Sequence, residues 1–143
     1  MMSALTSEQK EILVTKALEA RKFSYSPYSH YQVGAAILGK SGVVYTGCNI
    51  ENAGYGPTNC AERTAFFKAV SEGEKDFVAI AIAGGREGEV IDDYAYPCGV
   101  CRQVMAEFCR GDFEIFVVKS ETEYMEHNLE ELLPNRFGPA NLR

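Results

Sequence analysis

Long apolar runs, clustered positive charge and histidine are all scarce in this sequence. The longest uninterrupted apolar run covers residues 77–83, far short of the ~20 residues that cross a bilayer. The opening stretch MMSALTSEQKEILVTKALEARK interleaves charges with apolar side chains, so it lacks the unbroken apolar core of a secretory leader. These two absences lead us to expect a cytoplasmic protein with no membrane partner. Basic residues number 14 against 20 acidic ones, for a net charge of −6, and they form no run. Such a surface repels a polynucleotide backbone on average, so nucleic acid is not an expected partner. No repeat, low-complexity tract or linker interrupts the chain. Residues 1–143 are therefore read as a single domain, long enough to bury about two-thirds of its unfolded surface without disulfide staples.

Periodicity gives the elements. Thr6 and Gln9 fit a capping box at the start of a helix running to about Lys22, with Leu13, Ala17 and Ala20 on one face. A loop rich in tyrosine and serine, YSPYSHYQ, follows. Residues 33–38 and 43–46 read as strands joined as a hairpin through Gly39 and Gly42. Helices are expected over about 60–72 and 98–108, and a short one over 128–133 ended by Pro134. The run 77–83, bounded by Gly84 and Gly85, suits a strand buried on both faces. Residues 114–118 form another strand, and 123–126 a short edge strand. Helices alternating with strands after a hairpin predict an α/β fold: three layers, α/β/α, around a mixed central sheet of about five strands.

Five cysteines, at 48, 60, 98, 101 and 109, are an odd number for a disulfide framework. Cys98 and Cys101 form a C-x-x-C unit, which alone reads as a redox dithiol, half of a zinc site or coincidence. Cys60 also opens an expected helix. Three thiols at two helix starts can converge where both helices leave one side of a sheet, and helix N-termini favour the thiolates that a metal needs. His30 and His127 are the sole histidines and neither neighbours a cysteine. Without a fourth protein ligand, the expectation is an open zinc site of Cys60, Cys98 and Cys101, whose free position marks catalysis. Cys48 and Cys109 have no partner at ligand spacing and read as small buried hydrophobes.

Glu62 then gains a purpose. Two residues from a ligand, it reaches the open position without binding metal, where it can carry a proton from water to substrate. Three thiolates leave the centre at about −1, which weakens its acidifying power. Arg63 is placed to draw off that excess charge from behind the ligands. Asn49 and Glu51, two apart in an extended segment, point the same way, but alone they read as turn residues. No phosphate-binding loop or arginine cluster is present to hold a phosphate group.

Cys-Ala-Glu followed by Pro-Cys-x-x-Cys is the known signature of zinc-dependent deaminases, here in its all-cysteine form. The segments YSPYSHYQVGAA, GCNIENAGYG, TNCAERTAFFKAVSEG, PCGVCRQVMAEF and ELLPNRFGP in that order closely resemble the small homotetrameric cytidine deaminases of pyrimidine salvage, over nearly the whole chain. The resemblance implies one zinc per subunit on Cys60, Cys98 and Cys101, with Glu62 as proton shuttle. It also implies that Asn49 and Glu51 bind ribose and that Tyr31, in the usual phenylalanine position, packs on the base. Phe137 resembles an aromatic supplied by a neighbouring subunit, with Ala53 and Tyr55 as further contacts across the interface of a homotetramer with shared active sites. The expected reaction is hydrolytic deamination of cytidine and deoxycytidine. Tyr96, where a small hydroxyl residue is usual, and Val100, for a common alanine, are expected to narrow the pocket.

Three rivals are carried. A blasticidin S-type deaminase shares the cysteines and glutamate, but Arg63 and the intact NIEN stretch favour the cytidine enzyme. A polynucleotide deaminase wants a basic, aromatic-lined channel. A non-catalytic zinc module wants a fourth ligand and leaves Glu62 without a role.

Overall fold

The computed structural model describes residues 5–142. Its first helix, α1 (Ser7–Ala20), starts at the expected box: Thr6 Oγ1 accepts the Gln9 N–H at 3.1 Å, and Gln9 Oε1 accepts the Thr6 N–H at 3.0 Å. A hairpin of β1 (Tyr31–Gly39) and β2 (Val44–Cys48) follows, then α2 (Ala61–Ser71), β3 (Phe77–Arg86), α3 (Gly99–Phe108), β4 (Glu114–Val118), β5 (Tyr124–Asn128) and the short α4 (Leu129–Leu132). The five strands form one sheet in the order β2-β1-β3-β4-β5. β3 and β4 are parallel and every other neighbouring pair is antiparallel. The sheet is mixed, as expected.

Strand alternation divides the core into two. Ala79, Ala81 and Ala83 of β3 face one way, with Leu13, Val14 and Ala17 of α1. Ile80 and Ile82 face the other way, with Ala65 and Phe66 of α2 and Met105 of α3. The period-2 exchange of faces along a buried strand makes this a three-layer α/β/α fold. Phe66 anchors the second layer, fully buried, with the rings of Phe77, Phe108 and Phe113 at 5.1, 6.2 and 6.2 Å.

Two boundaries depart from the sequence reading. Gly84 and Gly85 do not end β3; they pair with Val33 and Gln32 of β1. A Cβ on Gly84 would lie 2.7 Å from Ala95 Cβ, so this glycine answers crowding over the strand end. The edge strand begins and ends later than expected because Asn128 closes β5 and caps α4, accepting the Glu131 N–H at 2.9 Å.

The layout fixes where a site can form. β2 and β3 run in the same direction, and each is followed by a helix, so α2 and α3 start beyond the same edge of the sheet. That carboxyl edge is where α/β sheets bind ligands. Gly47 lets α2 lie directly on β2, since a Cβ there would meet Ala65 N at 2.5 Å and Ala61 O at 2.6 Å.

Candidate active site

Each of the two helices opens on a cysteine. Cys60 is the N-cap of α2 and Cys98 the N-cap of α3, both in extended backbone, and neither side chain caps its helix. A serine or aspartate there would turn back onto the helix N–H groups. Here the sulfurs point instead at each other. Cys60 Sγ lies 3.8 Å from Cys98 Sγ, and Cys98 Sγ lies 3.4 Å from Cys101 Sγ in the first turn of α3. All three sulfurs fall within 4.8 Å of one another. Sulfurs on one tetrahedral zinc, at ~2.3 Å each, stand ~3.8 Å apart, so this donor set fits zinc in chemistry and spacing.

The electrostatics are arranged around that cluster. Cys60 is brought down to about 5, first by the hydrogen bond with Cys101 and then by Arg63, whose Nη2 donates to Cys60 Sγ at 3.2 Å. Cys101 moves up as the partner that keeps its proton. Of this hydrogen-bonded pair, Cys60 is the one that ionises first. Glu62 is 4% exposed. Burial, reinforced by the Cys60 charge, raises its carboxyl to about 7, a value suited to giving and taking protons near neutrality.

This shift carries a stability prediction. In the metal-free protein Glu62 is protonated in both folded and unfolded states below about 4.5, so it costs nothing there. As pH rises from 4.5 through about 7, the folded state holds a proton that the unfolded state has lost, and stability falls. Metal-free Glu62→Gln should therefore be more stable than wild type at pH 8, by on the order of 3 kcal/mol. Denaturant melts at pH 4 and pH 8 check this; a difference that does not grow with pH contradicts it.

The loop before β1 is stitched to the residues expected to hold a sugar. Asn49 Oδ1 accepts the Val33 N–H at 2.9 Å and the Ser24 hydroxyl at 2.5 Å, while Nδ2 donates to Tyr31 O at 2.8 Å. Glu51 Oε1 accepts the N–H groups of Tyr28 and Ser29 at 3.0 and 3.1 Å, and Oε2 accepts the Ser29 hydroxyl. That hydroxyl bond leads the causes that hold Glu51 below the usual carboxylate range. Ser29 Oγ also accepts the Tyr31 N–H at 3.1 Å. Asn49, Glu51 and Tyr31 are thus gathered at one place by Ser24 and Ser29. The sequence reading passed over both serines; the one signal was a hydroxyl-rich loop upstream of two side chains needing donors.

The remaining expected residues lie on the surface of the single chain. Ala53 is exposed, and so are Tyr55 and Phe137, at 91% and 57%. Tyr96 turns toward β5, its hydroxyl 3.4 Å from His127 Nε2 and 3.5 Å from Met125 Sδ. Its ring centroid lies 5.6 Å from that of His127. Cys48 and Cys109 stand apart from the cluster, partly buried, and burial raises both thiols.

An α/β/α sheet presenting three convergent thiols and a buried carboxylate at its carboxyl edge defines a zinc enzyme of the hydrolytic kind. The model of the cytidine and deoxycytidylate deaminase zinc-binding region matches residues 7–117, and the chain belongs to that family. It is 49% identical over 133 residues to a cytidine deaminase of Halalkalibacterium halodurans, covering 93% of this chain and 97% of the relative. It is 46% identical over 132 residues to one from Sporosarcina psychrophila, covering 92% and 93%. The crystal structure of cytidine deaminase from Burkholderia pseudomallei matches with a TM-score of 0.80 at 39% identity, covering 93% of this chain and all of that one.

Proposed function

We propose that this protein hydrolyses cytidine and deoxycytidine to uridine and deoxyuridine with release of ammonia, using zinc held by Cys60, Cys98 and Cys101. The observation that carries the proposal is the convergence of three thiols beside the buried Glu62. Zinc at the three sulfurs supplies Lewis acidity, which brings a water into reach of deprotonation near neutral pH. Glu62 is the proton carrier: its carboxylate takes one proton of the attacking water and gives it to the ring nitrogen, then takes the proton of the newly formed hydroxyl and gives it to the departing amine. Water adds at the amino-bearing carbon, the C–N bond breaks, and ammonia leaves.

Asn49 and Glu51 take the ribose hydroxyls, and Tyr31, gathered beside them, packs on the base. Asn49 offers its second Nδ2 hydrogen, and Glu51 its remaining lone pairs. The fixed negative charge of Glu51 disfavours a phosphate nearby, which supports nucleosides over nucleotides. Arg63 reduces the charge on Cys60. Arg63→Ala should retain zinc and lose roughly ten- to a hundredfold in turnover; metal analysis beside a rate assay checks this, and unchanged turnover contradicts it.

The working form is a cytoplasmic homotetramer in which Phe137, Ala53 and Tyr55 complete a neighbour's site. Supporting this, Cys98, Gly99 and Val100 lie open at the cluster of the single chain, Val100 at 58% exposure, whereas the reaction needs bulk solvent shut out around the one reacting water. Among the described residues no helix is long and apolar enough to cross a membrane.

The test offers cytidine, deoxycytidine, cytidine monophosphate, a cytosine oligonucleotide and blasticidin S side by side. Turnover of the two free pyrimidine nucleosides alone is expected. Turnover of blasticidin S alone moves the substrate and keeps the chemistry, and turnover of the oligonucleotide contradicts the reading.

A further inference from the structure

The two residues directly after Cys101 both reach out of α3 to main-chain carbonyls. Arg102 Nε donates to Pro97 O at 2.8 Å, at the entrance to the thiol loop, and its Nη1 donates to Leu132 O at 2.6 Å, at the end of α4. Gln103 Nε2 donates to Phe137 O at 2.9 Å. The segment after α4 is therefore tied to the thiol-bearing helix at two points. Local bonds shape it between and beyond them: Arg136 pairs with Glu130 at 2.5 Å, and Asn141 Oδ1 accepts the Gly138 N–H at 2.8 Å. The Phe137 ring is exposed while its main chain is held. An aromatic destined for another chain is best fixed in this way, by its backbone, with the ring left free to be buried elsewhere.

We propose that Gln103 is a positioning residue for nucleoside binding, fixing the main chain beneath Phe137, with Arg102 anchoring the base of the same segment to the thiol loop. The inference rests on the reading that Phe137 completes a neighbouring site. It adds that the helix presenting Cys98 and Cys101 to its own site also sets the reach of the aromatic offered next door. Metal loop and donated aromatic then move as one body.

Gln103 is exposed, so its substitution leaves the core intact and the test reads binding. Gln103→Ala is expected to raise KM about two- to tenfold, the worth of one neutral hydrogen bond, with kcat, zinc per chain and sedimentation unchanged. Gln103→Glu, the same size but unable to donate when ionised, should raise KM at least as much. Gln103→Lys, which restores a donor, should recover most of the loss. Phe137→Ala should raise KM further, and the double variant Gln103→Ala with Phe137→Ala should be no worse than Phe137→Ala alone, since both act through one ring. If Phe137→Ala raises KM while Gln103→Ala behaves as wild type, or if the two effects multiply, the role given to Gln103 is wrong and that of Phe137 stands. Loss of zinc or of assembly in Gln103→Ala would make it part of the scaffold and also overturn the proposal. An unchanged KM in Phe137→Ala removes the reading of Phe137 and the inference with it.

Discussion

Glu62→Gln should cut kcat by roughly a hundred- to ten-thousandfold, the usual worth of a positioned general acid–base, while the protein keeps its zinc. The amide matches the carboxylate in size, so the pocket that leaves Glu62 4% exposed still closes, but the amide cannot accept the water proton. Retained metal follows from the donor set: the three sulfurs form the cluster that can hold a metal, and Glu62 is not one of its members. The buried carboxyl also gains from the change, because its ionised form is the costly one in that environment. The expected pattern is thus a variant at least as stable as wild type, fully loaded and nearly silent. Rates and metal content measured on the same sample check it. Zinc lost with activity would make Glu62 a ligand, and activity retained would remove its role.

Cys101→Ala should do the opposite, losing zinc and turnover together. Cys101 is fully buried in the first turn of α3 and is the main hydrogen-bond partner of Cys60. Its removal takes one of three donors and the leading cause that keeps Cys60 ionised near neutral pH. Two thiols do not make a competitive zinc site, and the stabilisation that bound metal gives the folded state goes too. Chelator treatment of wild type should reproduce the loss, with added zinc restoring turnover. Added zinc should not restore the variant. Stoichiometric zinc and wild-type turnover in Cys101→Ala would contradict the ligand set.

The thiol site was readable in the sequence because its parts obey local rules. Cys60 and Cys98 sit where helix starts are signalled, and Cys101 follows within one turn, so two helix positions and one sheet edge place all three. The capping box at Thr6 and the alternating core of β3 were legible for the same reason, since period and offset carry them. What sequence did not show depends on contacts between distant segments. Gly84 and Gly85 read as strand terminators because glycine marks ends, yet Ala95 packing over Gly84 explains one of them. Ser24 and Ser29 bind side chains more than 20 residues downstream, and no period predicts such a pair. The contacts of the Tyr96 hydroxyl with His127 and Met125 on β5 could not be read from its place before Pro97. Arg102 and Gln103 were hidden likewise, their acceptors being carbonyls that carry no residue identity.

The most direct test of the central claim is X-ray absorption at the zinc edge of the purified protein without substrate. The account predicts one zinc per chain with three sulfurs at ~2.3 Å and one lighter atom in the remaining position. Four sulfurs would mean that Cys48 or Cys109 closes the site, leaving Glu62 no open position to serve. That result would contradict the catalytic reading.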